Sequence, residues 1–223
     1  MAVEFDHVFI CASPAGHEAG GLTTFGLQEG TPNTHPGQGT ACRRFFFRNA
    51  YLELLWVSDM AEAKSDTIRP THLWERWTGR SQGACPFGFG FRPAKEHNGG
   101  PPFPAWDYRP PYLPDSMSFQ VATNADVLIE PMLFYLGHRP DSHPSSSSRR
   151  QVMEHTPPLK EITRITFVSP HAGSHSAALE AVSRVGLMRV AAGSEYFTEL
   201  GFDGELQGQK ADFRPHLPLA FCW

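Results

Sequence analysis

The apolar positions of the chain come in short alternating runs, not long helical stripes. Residues 5–12, FDHVFICA, alternate as a strand does. Phe5, His7, Phe9 and Cys11 are expected on one face and Asp6, Val8, Ile10 and Ala12 on the other. Ser13-Pro14 is a helix start, with Ser as cap and Pro as first helical residue; a short helix is expected through Glu18 to Phe25, and Gly26 ends it. Residues 27–33 read as a weak strand or an extended loop. His35-Pro36-Gly37-Gln38-Gly39 is a tight turn, residues 40–48 are a strand rich in Phe, Thr and Arg, and Asn49-Ala50 connects it to residues 51–57, YLELLWV. One position spoils that last apolar run. A carboxylate at Glu53 costs several kcal/mol unless it is paired, protonated or bound to a metal.

Further along, residues 61–64 predict a short polar turn or helix, and residues 72–78, with Leu73, Trp74 and Trp77, a brief amphipathic helix. PFGFGFRP at 86–93 is a strand with Phe on one face and Gly on the other. Those glycines serve either close packing or room for a ligand. Residues 96–114 are Pro-rich and loop-like, and residues 117–122 and 131–136 are two further strands. Residues 137–158, with a Ser run at 145–148 and Arg149-Arg150, form the most polar stretch and the candidate linker.

The chain then echoes its beginning. Residues 162–169, ITRITFVS, form a strand, Ser169-Pro170 repeats Ser13-Pro14, and Gly186-Leu187 repeats Gly26-Leu27 after a helix over 176–185. Short strands are expected at 189–192, 202–206 and 217–223. Two copies of one strand–helix–strands unit follow. Residues 1–93 hold the first unit with a connecting helix and strand, residues 94–158 connect, and residues 159–223 hold a degenerate second unit, together one compact domain.

Composition narrows the function classes. Hydrophobic residues at 40% and charged residues at 19% fit a globular protein that buries a core. A net charge of -4 offers no basic field for nucleic acid or anionic lipid, and no apolar run spans a bilayer. The first dozen residues lack a signal-peptide pattern. Cys11, Cys42, Cys85 and Cys222 form no CxxC pair, so they read as free thiols in a reducing cytoplasm. The expected partners are a small molecule and, as one assembly, a second copy of the chain.

A paired βαβββ unit, with Asp6-His7-Val8, the HPGQGT run at 35–40 and Tyr51-Leu52-Glu53-Leu54, resembles the glyoxalase-like branch of the vicinal oxygen chelate superfamily. The resemblance implies an α+β fold in which two such units make a strongly curved, mostly antiparallel cup with helices outside. It also implies a divalent metal (Zn, Mn, Fe or Ni) held by His7 and Glu53, with Glu53 as the catalytic group. Residue by residue the second unit departs from that pattern: Thr163 stands where His7 does and Pro218 where Glu53 does, while His216 lies two residues before Pro218 as a third candidate ligand. A cross-strand His7–Glu53 hydrogen bond without metal is the alternative. Candidate substrate contacts are His35, Arg44, Tyr51, Phe89 and Tyr112, with Trp106 and Tyr108 as further roof. An Arg fixes a carboxylate or enolate oxygen well, or is a solvated surface residue; His35 is a rim base or a solvated loop residue. The implied function is action on a small apolar or aromatic oxygenated metabolite as a lyase, isomerase or dioxygenase. The alternative is a metal-free protein that binds and sequesters such a molecule.

Overall fold

The computed structural model describes residues 2–95, 97, 99–137, 151–171, 173 and 175–223. The polar run at 145–150 lies outside the described residues. The chain is α+β, with thirteen strands in two mixed sheets and few helices among the described residues.

The first sheet has eight strands. β1 (Val3–Cys11) is followed by a 3-10 turn (Pro14–Gly16) whose N-cap residue Ser13 makes no side-chain capping bond, then α1 (Ala19–Phe25), β2 (Asn33–His35), β3 (Thr40–Phe46) and β4 (Tyr51–Val57). The helix expected through residues 18–25 is α1, but its expected start at Ser13-Pro14 is a separate 3-10 turn, because Ala15 adopts φ 65° there. After the short helices α2 (Met60–Ala63) and α3 (Leu73–Gly79) come β5 (Phe87–Pro93), β6 (Ala105–Tyr108), β7 (Phe119–Ala122) and β8 (Met132–Leu136). The strand order is β2-β3-β4-β1-β5-β8-β7-β6. β1 runs parallel to β4 and β5 parallel to β8, while the other neighbours are antiparallel. Both halves of the sheet thus repeat one order and one pattern of directions.

The remaining strands form a second sheet, with α4 (Ala177–Arg184) between its first two strands in sequence. These are β9 (Ile162–Ser169), β10 (Arg189–Ala192), β11 (Phe197–Phe202), β12 (Lys210–Asp212) and β13 (Leu219–Cys222), in the order β10-β9-β11-β13-β12. Here the first strand lies inside the sheet and pairs with both β10 and β11. The structure therefore groups the strands differently from the sequence echo. The segment at 87–136, not that at 162–222, shares the strand order of the first unit. Ser-Pro starts and Gly-Leu stops are local helix signals that any strand–helix junction uses, so they repeat without a repeat of pairing. The strand expected at 202–206 ends at Phe202, where Asp203–Glu205 turns as a 3-10 helix. β6 was hidden in the Pro-rich stretch because its prolines flank the strand and do not interrupt it.

The main core fills one face of the eight-stranded sheet. Val8, Ile10, Leu52, Leu54, Phe87, Phe89 and Phe91 pack there with Leu22 of α1, Leu179 and Val182 of α4, and Phe167, Leu200, Phe202 and Phe221 of the second sheet. Each of the three β5 phenylalanines is fully buried, a contribution of about 1.5–3 kcal/mol apiece. The opposite face carries a smaller cluster of Phe9, Cys11, Cys42, Leu55, Tyr108, Val121, Met132 and Phe134. That face holds the candidate site. No helix among the described residues is long and apolar enough to cross a membrane.

Candidate functional site

A β-bulge sets the first piece of the site. The β1–β5 register pairs Phe5 with Phe91 but His7 with Gly90, so one residue of β1 is extra. Beyond the bulge the faces swap. Phe5 joins the main core against Phe91, not the His7 face expected from strict alternation. Asp6, 1% exposed, stays beside His7, whose Nδ1–H donates to Asp6 Oδ1 at 2.6 Å. Arg92 Nη1 donates to Asp6 Oδ2 at 3.0 Å, its Nε to Glu4 at 2.7 Å and its Nη2 to the Asn49 carbonyl at 2.9 Å. Asp6 thereby fixes the proton of His7 on Nδ1 and leaves Nε2 facing the site, as carboxylate–histidine pairs do elsewhere.

Parallel pairing of β1 with β4 puts Tyr51 beside His7. Their rings stack at 4.2 Å and 13°, and Phe134 of β8 meets His7 edge-on at 5.0 Å. Glu53, two residues along β4 on the same face, is 6% exposed, and its Oε2 lies 3.7 Å from His7 Nε2. That is an ion-pair distance, too long for a direct hydrogen bond. Cys42 of β3 lies close by, its sulfur within 4.8 Å of Glu53, and burial together with that carboxylate pushes the thiol pKa far above its usual value.

The HPGQGT turn makes the adjoining wall. His35 is 8% exposed, so neither the solvated-loop nor the open-rim picture describes it. Asn33 Nδ2 donates to His35 Nε2 at 3.1 Å, which leaves Nδ1–H to donate to Thr40 Oγ1 at 2.8 Å. Gln38 Nε2 also donates to Thr40, and Gln38 accepts from the Tyr108 hydroxyl at 2.8 Å. Burial lowers the His35 pKa, against the opposing pull of Glu53, so the ring is neutral near pH 7. Gly39 is required here. It sits at φ 74°, and a Cβ on it would fall 2.2 Å from the Asp59 carbonyl where α2 abuts the turn.

These walls enclose a cavity of about 230 Å³. His7, Glu53, His35, Tyr51 and Tyr112 line it, and Phe9, Phe119, Val121, Met132 and Phe134 close its apolar side. Four sequence candidates fall outside this lining, Trp106 among them, with its ring edge-on to Tyr108. Phe89 points into the main core against Phe167, since the strand's alternation gives its Phe side to the core and its Gly side to the cavity. Arg44 donates to the Thr31 carbonyl at 2.9 Å and lies over the Phe46 ring, so these contacts hold its guanidinium outside the lining. His216 is exposed in the turn before β13 of the second sheet. The glycines of β5 serve close packing: a Cβ on Gly88 would lie 2.1 Å from the Phe9 ring, and one on Gly90 2.7 Å from Phe134. Sequence reasoning passed over Asp6, Asn33, Gln38 and Cys42. The extra residue before His7 and the turn's run of amide and hydroxyl side chains were the signals available.

No family model matches the chain, and no curated protein matches it. Among solved structures, a hypothetical protein from Staphylococcus aureus matches over 99% of this chain and 99% of its own, with a TM-score of 0.51 at 10% sequence identity. At that identity the likeness is one of chain path alone.

The metal set implied by the resemblance can be tested against the site. His7 and Glu53 converge, but the strands that mirror β1 and β4 in the other half offer the cavity only Met132 and Phe134, with Gly88 and Gly90 packed behind rings on the same face. Glycine and phenylalanine side chains supply no ligand, and a methionine thioether is a soft ligand ill-suited to Mn or Zn. With His216 exposed outside the cavity, His7 and Glu53 meet there without the third expected ligand, so the set of three does not assemble.

Proposed function

We propose that this is a glyoxalase-like protein of the vicinal-oxygen-chelate kind, whose cavity takes a small, mainly apolar or aromatic oxygenated metabolite and whose Glu53 moves a proton on it. The carrying observation is the buried Glu53–His7 pair at one pole of an otherwise aromatic cavity. The repeated strand order of 3–57 and 87–136 supports a pair of related modules. Curling of the sheet into a cup is supported by the Tyr108–Gln38 hydrogen bond. In a flat eight-stranded sheet the two outer strands would stand roughly 34 Å apart at the usual strand spacing, yet side chains beside them meet at 2.8 Å. The cavity is smaller than the roughly 300–1,000 Å³ of drug-sized sites, which favours a small metabolite. Buried free thiols at Cys11, Cys42 and Cys85 favour a reducing, cytoplasmic compartment.

In this reading the apolar part of the ligand packs against Phe119, Phe134 and Met132, and its oxygens face the polar wall. Glu53 removes a proton from the carbon beside a carbonyl, and the charge passes to the carbonyl oxygen. Burial holds the pKa of Tyr51 and of Tyr112 well above the ordinary phenol value, so both keep their protons and serve as donors to oxygens of the ligand. His7, oriented by Asp6 with Nε2 turned to Glu53 at 3.7 Å, takes the proton from Glu53 once the two side chains close to hydrogen-bond distance.

The test is proton NMR in D2O with a panel of aryl and alkyl 2-hydroxy ketones and 2-oxo acids. At least one compound is expected to bind and to lose its activated C–H signal faster with the protein, and Glu53→Gln is expected to abolish the exchange. A panel that neither binds nor exchanges, or a Gln variant that exchanges like wild type, overturns the reading. The second reading, a metal-free sequestering protein, draws on the ligand-poor half of the cavity. Binding without exchange in the wild type supports it.

A further inference from the structure

One cluster at the cavity wall, sharing Glu53 with the His7 pair, has the makings of a metal centre: His35 and Glu53 line the cavity and Cys42 is buried behind them. The donor atoms of His35, Cys42 and Glu53 all lie within 4.8 Å of one another, and all three residues are buried. The residues come from β2, β3 and β4, three neighbouring strands, so the backbone fixes their spacing. Bond lengths of about 2.0–2.3 Å to zinc imply donor separations of about 3.5 Å. Closing the gap takes about one ångström, within reach of side-chain torsions.

We propose that His35, Cys42 and Glu53 form a three-ligand site for a zinc-like divalent cation, open on the fourth side to the cavity. Charge favours it. One dication with a thiolate, a carboxylate and a neutral imidazole is neutral overall, which removes the cost of an isolated buried carboxylate. On binding, the Cys42 thiol proton leaves to solvent and the sulfur lone pair goes to the metal. Thiolate with imidazole selects zinc over manganese or magnesium. The imidazole must give up one of its hydrogen bonds, and Asn33 is the easier partner to displace, because it lines the cavity while Thr40 is 2% exposed. Three protein ligands and an open position are the build of a catalytic zinc, not of a closed structural one. The open position meets the ligand space that the proposed function assigns to the oxygens, so the metal rests on that cavity but not on the proton-transfer step.

The experiment uses metal-stripped full-length protein titrated with Zn²⁺ and, in parallel, with Co²⁺. One equivalent is expected to bind, and the cobalt form to show a thiolate charge-transfer band in the near ultraviolet. Cys42→Ser is expected to lose the band. His35→Gln is expected to weaken Zn²⁺ by more than the roughly 10–100-fold that loss of an outer-shell partner costs. His7→Gln is expected to keep the band, which separates this site from one built on His7. No bound metal, a cobalt spectrum without the thiolate band, or an unchanged spectrum in Cys42→Ser overturns the site. Zinc binding with no C–H exchange in any panel compound leaves the metal standing and removes the proposed reaction. Exchange by metal-free protein that binds no zinc does the reverse.

Discussion

The two halves of the eight-stranded sheet share a strand order and differ in what they put into the cavity. The half at 3–57 contributes His7, Asn33, His35, Gln38, Tyr51 and Glu53, with only Phe9 and Leu55 as apolar lining. The half at 87–136 contributes Tyr108, Tyr112, Phe119, Val121, Met132 and Phe134, and the two glycines of β5 are held against rings. One backbone plan thus supplies a polar wall and an apolar one. The cost of burying charge explains the division. Each buried polar group needs partners, and a dense network is satisfied more readily on adjacent strands than split across a hollow. Asp6, Arg92 and Glu4 on one side of His7, and Asn33, Thr40 and Gln38 around His35, are such local networks.

The sharpest way to break this comparison is to neutralise the polar wall. Glu53→Gln keeps the shape of the side chain and removes its basicity. Loss of a general base lowers a rate by about 10²–10⁴-fold, and C–H exchange followed by NMR reads it. Melting temperature is expected to hold, because a neutral amide replaces a carboxylate in a buried place. An equal loss from a change in the apolar wall, such as Phe134→Leu, would mean that the chemistry is not confined to one half.

Asp6→Ala comes next. It leaves Arg92 and His7 without their shared acceptor, and breaking a buried pair on one side costs about 3–5 kcal/mol. Urea unfolding measures the loss. Asp6→Asn separates roles: an amide oxygen still accepts from His7, so most of the exchange activity survives while the Arg92 contact weakens. Comparable destabilisation by both variants would show that orientation of His7 is not what Asp6 provides.

In the apolar wall, Gly88→Ala places a methyl group into the Phe9 ring. Overpacking of this kind costs about 1–3 kcal/mol. The double variant with Phe9→Leu is expected to recover much of it, the coupling a double-mutant cycle detects. Full stability of the single variant would return Gly88 to the role of leaving room for a ligand.

Much of this was legible from residue order, and the reasons it stopped are physical. Period-two alternation located β1 and β5, a nearly continuous apolar run located β4, and Glu53 announced itself by interrupting that run. The turn before Thr40 was readable from its Pro and Gly. What alternation does not carry is a single extra residue, so the bulge at Asp6 moved Phe5 to the other face unannounced. Strand order is decided by packing between distant segments, so 87–136 looked like a connector while 162–222 looked like the partner. Cys42 looked like an ordinary buried thiol. Only the pairing of three strands brings its sulfur near His35 and Glu53.

The smallest expected effect concerns a tie made to the polar half by the chain after residue 150. His155 accepts from the Gln28 N–H at 3.1 Å and donates from Nε2 to the Phe46 carbonyl at 2.8 Å, clamping the segment after residue 150 onto β3 and the loop before it. Burial lowers its pKa below the ordinary histidine value, outweighing the opposite pull of the Phe46 carbonyl and of Glu154. A depressed folded-state pKa means that the unfolded chain binds the proton first. The contribution of His155 is therefore whole above the unfolded value, about 6.5, and drains away as pH falls through the lower folded one. For a single group the slope cannot exceed about 1.4 kcal/mol per pH unit. Urea midpoints between pH 8 and pH 5 should fall more steeply for the wild type than for His155→Gln. Parallel curves for the two proteins would assign the acid sensitivity of this half to other groups.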